Sequence, residues 1–508
     1  MPEAAPPALG TTHARPHPDA AGRTRSGVVL ATVCLCQLMV TLDASIVNIA
    51  LPAMGHALGF ADSALPWVVN AYALAFGGLL LLGGRIADLV GHRRALLSGL
   101  VLFGLASVLG GFAQTSAQLV AARAGQGVAA ALLAPISLTL IMVTFTEGPA
   151  RARALGIWSM VTAGGSALGV LLGGVLTDLL DWRWVFFVNL PIVLVAGLLA
   201  GRSVPAVRPP RAGRPDVAGA VLATAAMVTL VYGLMETDRH PWGSARTLGT
   251  LGAALLLGAA FLAWEARFAT APIVRLGILR VRTVWVSGLI VTLLGAGMLV
   301  GFYFCSLYLQ NVLHYGPLAA GAAFLPFCAG TMAGSMVAGR LAARFGGRAV
   351  LTTGLLLAGL GMLWFGGLGV DSGYLTAFVG PSLVTSVGVG LCMVSNTSMG
   401  TSGVDPREAG LVSGLLNAGR QCGGSIGLAV LSTLAVTTTR HAAEGGDTAA
   451  AALAAGYDRA FVVTAVLLGL AALVAVLFVP SPKRAPGARA DAGAGAEAQA
   501  SLESGARR

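Results

Sequence analysis

Residues 84–93 read Gly84-Arg85-Ile86-Ala87-Asp88-Leu89-Val90-Gly91-His92-Arg93. Residues 339–348 read Gly339-Arg340-Leu341-Ala342-Ala343-Arg344-Phe345-Gly346-Gly347-Arg348, at a constant offset of 255. Each stretch is a short basic, glycine-flanked turn between two long apolar runs. Such a turn marks the point where one helix leaves an apolar medium and the next re-enters it. The same turn at the same topological point in two places implies two related blocks. Repeats in parallel topology suit a rocking carrier whose site lies between them near mid-membrane.

Outward from these turns the chain is apolar. Of 508 residues, 56% are hydrophobic and 10% charged, with mean hydropathy +0.81; a soluble domain carries about 25% charged residues. A bilayer core about 30 Å thick needs roughly 20 apolar residues per helical span. Fourteen runs satisfy this: 27–49, 66–86, 95–114, 118–142, 154–177, 184–202, 216–235, 246–264, 284–310, 317–339, 349–369, 375–400, 410–436 and 460–480. One globular core cannot bury them all, so lipid is the main solvent. The expected architecture is all-α and membrane-integral. A six-helix bundle at 26–202 and another at 283–482 flank a linker and two-helix insert at 203–282. Low-complexity tails at 1–25 and 483–508 are expected to be disordered.

The net charge of +11 records topology. Of 32 Arg and Lys residues, only Arg183, Arg239, Arg246, Arg440 and Arg459 fall on the outer side, and Arg123 and Arg420 fall inside spans. This is the positive-inside bias, with both termini cytoplasmic in the inner membrane; it gives no reason to expect nucleic acid. The six cysteines all lie in apolar runs without disulfide or metal spacing. A phosphate-gripping loop needs Gly-Lys-Ser/Thr, and the only lysine, Lys483, stands between Pro482 and Arg484. No nucleotide-hydrolysing motif, nucleophile–base pair or cofactor site stands out. Energy is then expected from an ion gradient or from the substrate.

Among 21 acidic residues, Asp43 is the one inside a span. An unpaired buried carboxylate either takes a proton or finds a partner. A group that does either, depending on access, is a proton carrier; the other reading is an Asp near a helix end that meets water. Asp43 lies about six residues from the outer end of span 1, roughly 9 Å deep, and Arg123 about five from that of span 4, roughly 8 Å deep. A nearby guanidinium favours ionised Asp43, and separation favours proton uptake. Arg123 as a static partner or a snorkelling side chain is the alternative.

Four stretches carry a family resemblance: Leu42-Asp43-Ala44-Ser45-Ile46-Val47-Asn48-Ile49-Ala50-Leu51-Pro52, the Gly84–Arg94 turn, Arg123-Ala124-Gly125-Gln126-Gly127, and Trp182-Arg183-Trp184-Val185-Phe186-Phe187-Val188-Asn189-Leu190-Pro191. In order and on the expected spans, they resemble the fourteen-span drug:proton antiporter family of the major facilitator superfamily, over roughly 25–480. The resemblance implies the major facilitator fold, protonation at Asp43, and a link of Arg123 to proton coupling. It implies a gating role for Gly84, Asp88, Gly91, Arg93 and Arg94, with topology alone as the other reading. Leu89 stands where a basic residue is usual, and His92 where Arg is common.

On span 5, Gly165, Gly169 and Gly173 share one helical face, a small-residue stripe that permits close packing. The resembling family has a glycine-rich motif here that marks antiporters, usually with Pro where this chain has Val170. Polar or aromatic residues inside spans are the candidate pocket: Gln37, Asn70, Tyr72, Trp158, Tyr303, Tyr308, Gln310, Asn396 and Asn417, with Arg420. Arg420 reads either as an anchor for an anionic or polar substrate group or as a structural hydrogen-bonding residue. The expected function is proton-driven efflux of small drug-like molecules by a monomer in the lipid bilayer. The rivals are a proton-coupled metabolite or siderophore transporter and a transporter-derived receptor or scramblase; an enzyme is poorer still.

Overall fold

The computed structural model describes residues 20–479 apart from 62, 146–148, 205–215, 239, 270–275, 368, 370–372, 403 and 405–407. Most of the two expected tails and of the linker therefore lies outside the described residues. Every expected span falls on a helix. In chain order these are α1 (Ala20–Leu58), α2 (Trp67–Val90), α3 (His92–Gly111), α4 (Ser116–Thr144), α5 (Pro149–Leu179), α6 (Trp184–Ser203), α7 (Val217–Met235), α8 (Ala245–Arg267), α9 (Arg282–Val312), α10 (Pro317–Phe345), α11 (Gly347–Phe365), α12 (Gly380–Gly400), α13 (Ala409–Glu444) and α14 (Ala449–Phe478). Thirteen are long and apolar enough to cross a membrane, and the fourteenth, α2, has its apolar stretch at Trp67–Leu80. Among the described residues there is no strand.

Several helices outrun their apolar cores. The first begins at Ala20, inside the stretch expected to be a disordered tail, because Ala and Arg propagate helix well once the apolar run has nucleated it. The last begins at Ala449, where Thr448 Oγ1 accepts a hydrogen bond from the Ala451 amide at 3.3 Å, an N-cap that satisfies an orphan donor. Local breaks sit at helix-disfavouring positions. Helix α10 breaks at Phe324, two residues before Pro326, and a π-helical turn, Leu375–Val379, leads into α12 just ahead of Pro381.

The two blocks repeat their packing. In the first, α1 packs on α4, α5 and α6, while α4 packs on α2 and α3, and α3 on α6. In the second, α9 packs on α12, α13 and α14, while α12 packs on α10 and α11, and α11 on α14. The blocks meet symmetrically, α2 against α13 and α5 against α10. Helices α7 and α8 pack on each other, and α7 covers the α2–α13 seam.

The repeated turns agree in detail. Gly91 joins α2 to α3 with φ 90° and ψ 137°, and Gly346 joins α10 to α11 with φ 88° and ψ 144°. This left-handed region is open to glycine without a Cβ penalty. Arg93 donates to the Gly201 carbonyl of α6 at 2.6 Å, and Arg348, its counterpart, donates to the Val476 carbonyl of α14.

Close helix approach rests on the span-5 glycines. A Cβ at Gly169 would lie 2.6 Å from the Leu42 carbonyl oxygen, one at Gly173 2.7 Å from that of Ile46, and one at Gly165 against the Thr41 hydroxyl. The second block has the same stripe, Gly419, Gly423 and Gly427 on α13, facing Thr292 and Ala296 of α9. One apolar cluster joins the blocks around Ile46, Ile49, Val170, Tyr308 and Phe324, at the face where α1 ends. There Ser306 Oγ donates to the Asn48 carbonyl at 2.7 Å and Gln310 Nε2 to that of Ile49 at 3.0 Å. Toward the face where α1 begins, the first block has a separate core around Val33, Phe103 and Ile136.

Gly169→Val is expected to force α5 off α1, costing about 1–3 kcal/mol, and to lower the apparent melting temperature in detergent. Gly197→Ala, with nothing within 4 Å of the added carbon, serves as the control and should melt like the parent.

Candidate functional site

Asp43 points from α1 into the first block, where two other helices supply its partners. Arg123 Nη1 on α4 donates to Oδ2 at 2.6 Å. Gln126 Nε2, three residues along the same helix, donates to Oδ1 at 2.9 Å. Asn189 Nδ2 donates to Oδ1 at 3.0 Å, from the first residue after the break in α6 at Val188. Both carboxylate oxygens are thus engaged by donors.

The donors are themselves fixed. Arg123 Nε donates to the Val68 carbonyl at 3.0 Å and Nη1 to Gln126 Oε1 at 2.7 Å, and its guanidinium lies 4.4 Å over the Tyr72 ring. Gln126 Nε2 also donates to Ser107 Oγ on α3 at 3.0 Å. Asp43 is 0% exposed and Arg123 1%, so the pair is dry. Removing one member of such a pair leaves a buried charge that costs about 3–5 kcal/mol.

A cavity of about 160 Å³ lies between the blocks beside this pair. Ser45, Asn48, Tyr72 and Arg123 line it from the first block, and Met298, Phe302, Arg420 and Gln421 from the second. Arg123 touches both the cavity and Asp43, while Asp43 itself does not line the cavity. A larger surface hollow of about 640 Å³ sits at the α10–α11 turn and at the end of α14, apart from this centre.

Of the residues marked from sequence as candidate pocket, Tyr72 and Arg420 reach the cavity wall, and Asn417 accepts from Arg420 at 2.7 Å. The others are placed elsewhere. Gln310 ties α9 to α1, as described above. Tyr308 is buried and donates to the Gly369 carbonyl at 2.8 Å, while Tyr303 packs edge-on against Phe304. Asn396 donates to the Ser287 carbonyl at 3.1 Å, joining α12 to α9, and Asn70 faces Met235 of α7 at 3.8 Å. Gln37 is buried within α1, and Trp158 packs against the first block's core. A polar side chain inside a span is as often an interhelical clasp as a pocket wall, and these are clasps or packing.

Residues that sequence reasoning passed over are Ser107, Gln126 and Asn189 around the carboxylate, and Asn48, Ser166 and Gln421 at the cavity. Gln126 and Asn189 stand inside motifs already quoted, and Gln126 shares a helical face with Arg123 by its spacing. In the 84–94 turn, Gly84 has Pro135 as its nearest neighbour, at 3.7 Å from a notional Cβ, and Arg94 is exposed. The Asp88 and Arg85 side chains lie outside the described residues.

Two pseudo-equivalent six-helix blocks, a cavity at their interface and a buried ion pair beside it define a multi-pass membrane carrier of small molecules, not an enzyme. The model of the Major Facilitator Superfamily matches residues 33–428, and the chain belongs to this family. It is 41% identical over 462 residues to the cephamycin export protein CmcT of Amycolatopsis lactamdurans, covering 90% of this chain and 94% of that one. It is 39% identical over 453 residues to the puromycin resistance protein pur8 of Streptomyces alboniger, covering 88% and 90%. Among solved structures, a bacterial homologue of the human lysosomal transporter Spinster matches with TM-score 0.65 at 18% identity, over 90% of this chain and 99% of that one; at that identity the likeness is one of fold.

The geometry sets an expected stability pattern. Arg123→Gln and Asp43→Asn should each lower the melting temperature in detergent. The double variant should lose less than the two single losses combined, because neither charge is then stranded. Additive losses in a double-mutant cycle would show that the two groups do not act as a pair.

Proposed function

We propose that this chain exports small amphipathic, drug-like molecules across the cytoplasmic membrane in exchange for protons, with Asp43 as proton carrier and Arg123 as its electrostatic partner. The observation that carries the reading is the wholly buried Asp43–Arg123 contact at 2.6 Å, one member of which lines the cavity between the blocks. The relatives support the cargo class: besides cephamycin export and puromycin resistance, they include proteins of tetracenomycin C and of lincomycin resistance.

The proton step follows from charge. While Arg123 and the two amides hold Asp43, the carboxylate stays ionised. Movement of α1 against α4 withdraws the guanidinium, and a carboxylate left in a dry site takes up a proton. Return of α4 restores the guanidinium and expels the proton. Cargo in the cavity touches Arg123, so binding and protonation share one side chain.

Orientation comes from the basic loops. With those loops inside, both termini are cytoplasmic, and the face where α1 ends is external. The cluster around Ile46, Ile49 and Phe324 then closes the external side, and protons enter when it parts. The Gly91 and Gly346 turns lie on the cytoplasmic side as pivots between paired helices.

Asp43→Asn tests this in inside-out vesicles holding a pH gradient, with a cephamycin as trial cargo. The variant should reach the membrane at parental levels yet release no protons when cargo is added. Exchange at the parental rate would remove Asp43 from the mechanism.

A further inference from the structure

The cavity between the blocks carries two guanidinium groups, and only one is neutralised. Arg123 is paired with Asp43 at 2.6 Å. Arg420, on α13, donates to Asn417 Oδ1 at 2.7 Å, one turn back on its own helix. Among the described residues, no carboxylate lies within ion-pairing distance of Arg420. It is half-buried and lines the cavity next to Gln421. The cavity therefore carries one net positive charge among the described residues. A lone charge in such a place is costly, and an entering anion relieves the cost.

The rest of the wall fits an amphipathic body. Met298, Leu299 and Phe302 of α9 give it an apolar side. Across from them, Asn48 lines the cavity, and its side-chain oxygen is buried and has no hydrogen-bond partner. Gly295 lets α13 approach closely at Arg420, whose backbone carbonyl fills the place a Cβ would take. That contact fixes the height of the guanidinium in the cavity.

We propose that Arg420 is the recognition point for an anionic group, a carboxylate or sulfonate, on the exported molecule, whose apolar body lies against α9. This rests on the carrier reading above and narrows its cargo to amphipathic monoanions. A guanidinium gives two parallel donors to such a group, and Lys at this position would supply the charge without the fork.

The test uses two fluorescent probes with one ring system: anilinonaphthalene sulfonate, which is anionic, and phenylnaphthylamine, which lacks the sulfonate. The full-length protein in lipid nanodiscs should bind the anion saturably. Arg420→Gln should weaken that binding by about tenfold or more, in line with the worth of a charge-assisted hydrogen bond, and leave the neutral probe within twofold. Arg420→Lys should recover part of the loss. Equal losses for both probes would assign Arg420 to helix structure alone and overturn the proposal. So would parental anion binding in Arg420→Gln, or no saturable anion binding by the parent. Proton release on adding the anion to proteoliposomes is read separately. Its absence, with the Arg420 effect on binding intact, would sink the exchange mechanism and leave the anion site standing.

Discussion

A charge placed away from water has to be answered by another charge or by a proton. Asp43 and Arg123 answer each other 2.6 Å apart with almost no exposure, and five helices are committed to keeping them so. The carboxylate sits on α1, the guanidinium and Gln126 on α4, Val68 and Tyr72 on α2, Ser107 on α3 and Asn189 on α6. Hydrophobic burial distinguishes little between one helix arrangement and another in lipid, because the surroundings are as apolar as the interior. The polar centre supplies the discrimination, fixing depth and rotation of α1 against its neighbours at once.

That centre is affordable because the backbones around it come close. Gly165, Gly169 and Gly173 bring α5 against the Thr41–Ile46 segment of α1, and Gly419, Gly423 and Gly427 do the same for α13 on α9. The second copy has the stripe without the ion pair, since no acid occupies the matching part of α9 (Arg282–Val312). Equal scaffolds have thus been given unequal chemistry: the first block holds the buried ion pair, and the second contributes Arg420 and the apolar wall of α9 to the cavity. The insert α7–α8 adds a further asymmetry, since among the described residues α7 covers the α2–α13 seam.

The helices were readable from the sequence because the bilayer imposes a single length scale and excludes charge; the long apolar runs and the repeated Gly-Arg turn needed no tertiary information. Asp43 and Arg123 could be matched by depth for the same reason. Pocket residues were not readable in this way. Tyr308, Gln310 and Asn396 satisfy the same polar-inside-a-span criterion as Tyr72, yet they spend their donors on neighbouring backbone carbonyls. Distinguishing a clasp from a wall requires the rotation of each helix about its axis, and an apolar run surrounded on all sides carries weak periodicity to set it. Gln126 and Asn189 were hidden differently: amides attract less notice than charges, although near a lone acid they are the natural second donors.

The apolar cluster that bridges the blocks where α1 ends has a mechanical implication. Ile46, Ile49, Tyr308 and Phe324 are each at most about 2% exposed, and wetting a single such side chain costs about 1.5–3 kcal/mol. In the exchange proposed above, one proton, worth about 1.4 kcal/mol for each unit of pKa change, cannot prise that interface apart unaided. On that mechanism the molecule behaves as a balanced seesaw, in which every square ångström uncovered at one end is recovered at the other. The proton then only needs to tip a beam that the scaffold already holds near level.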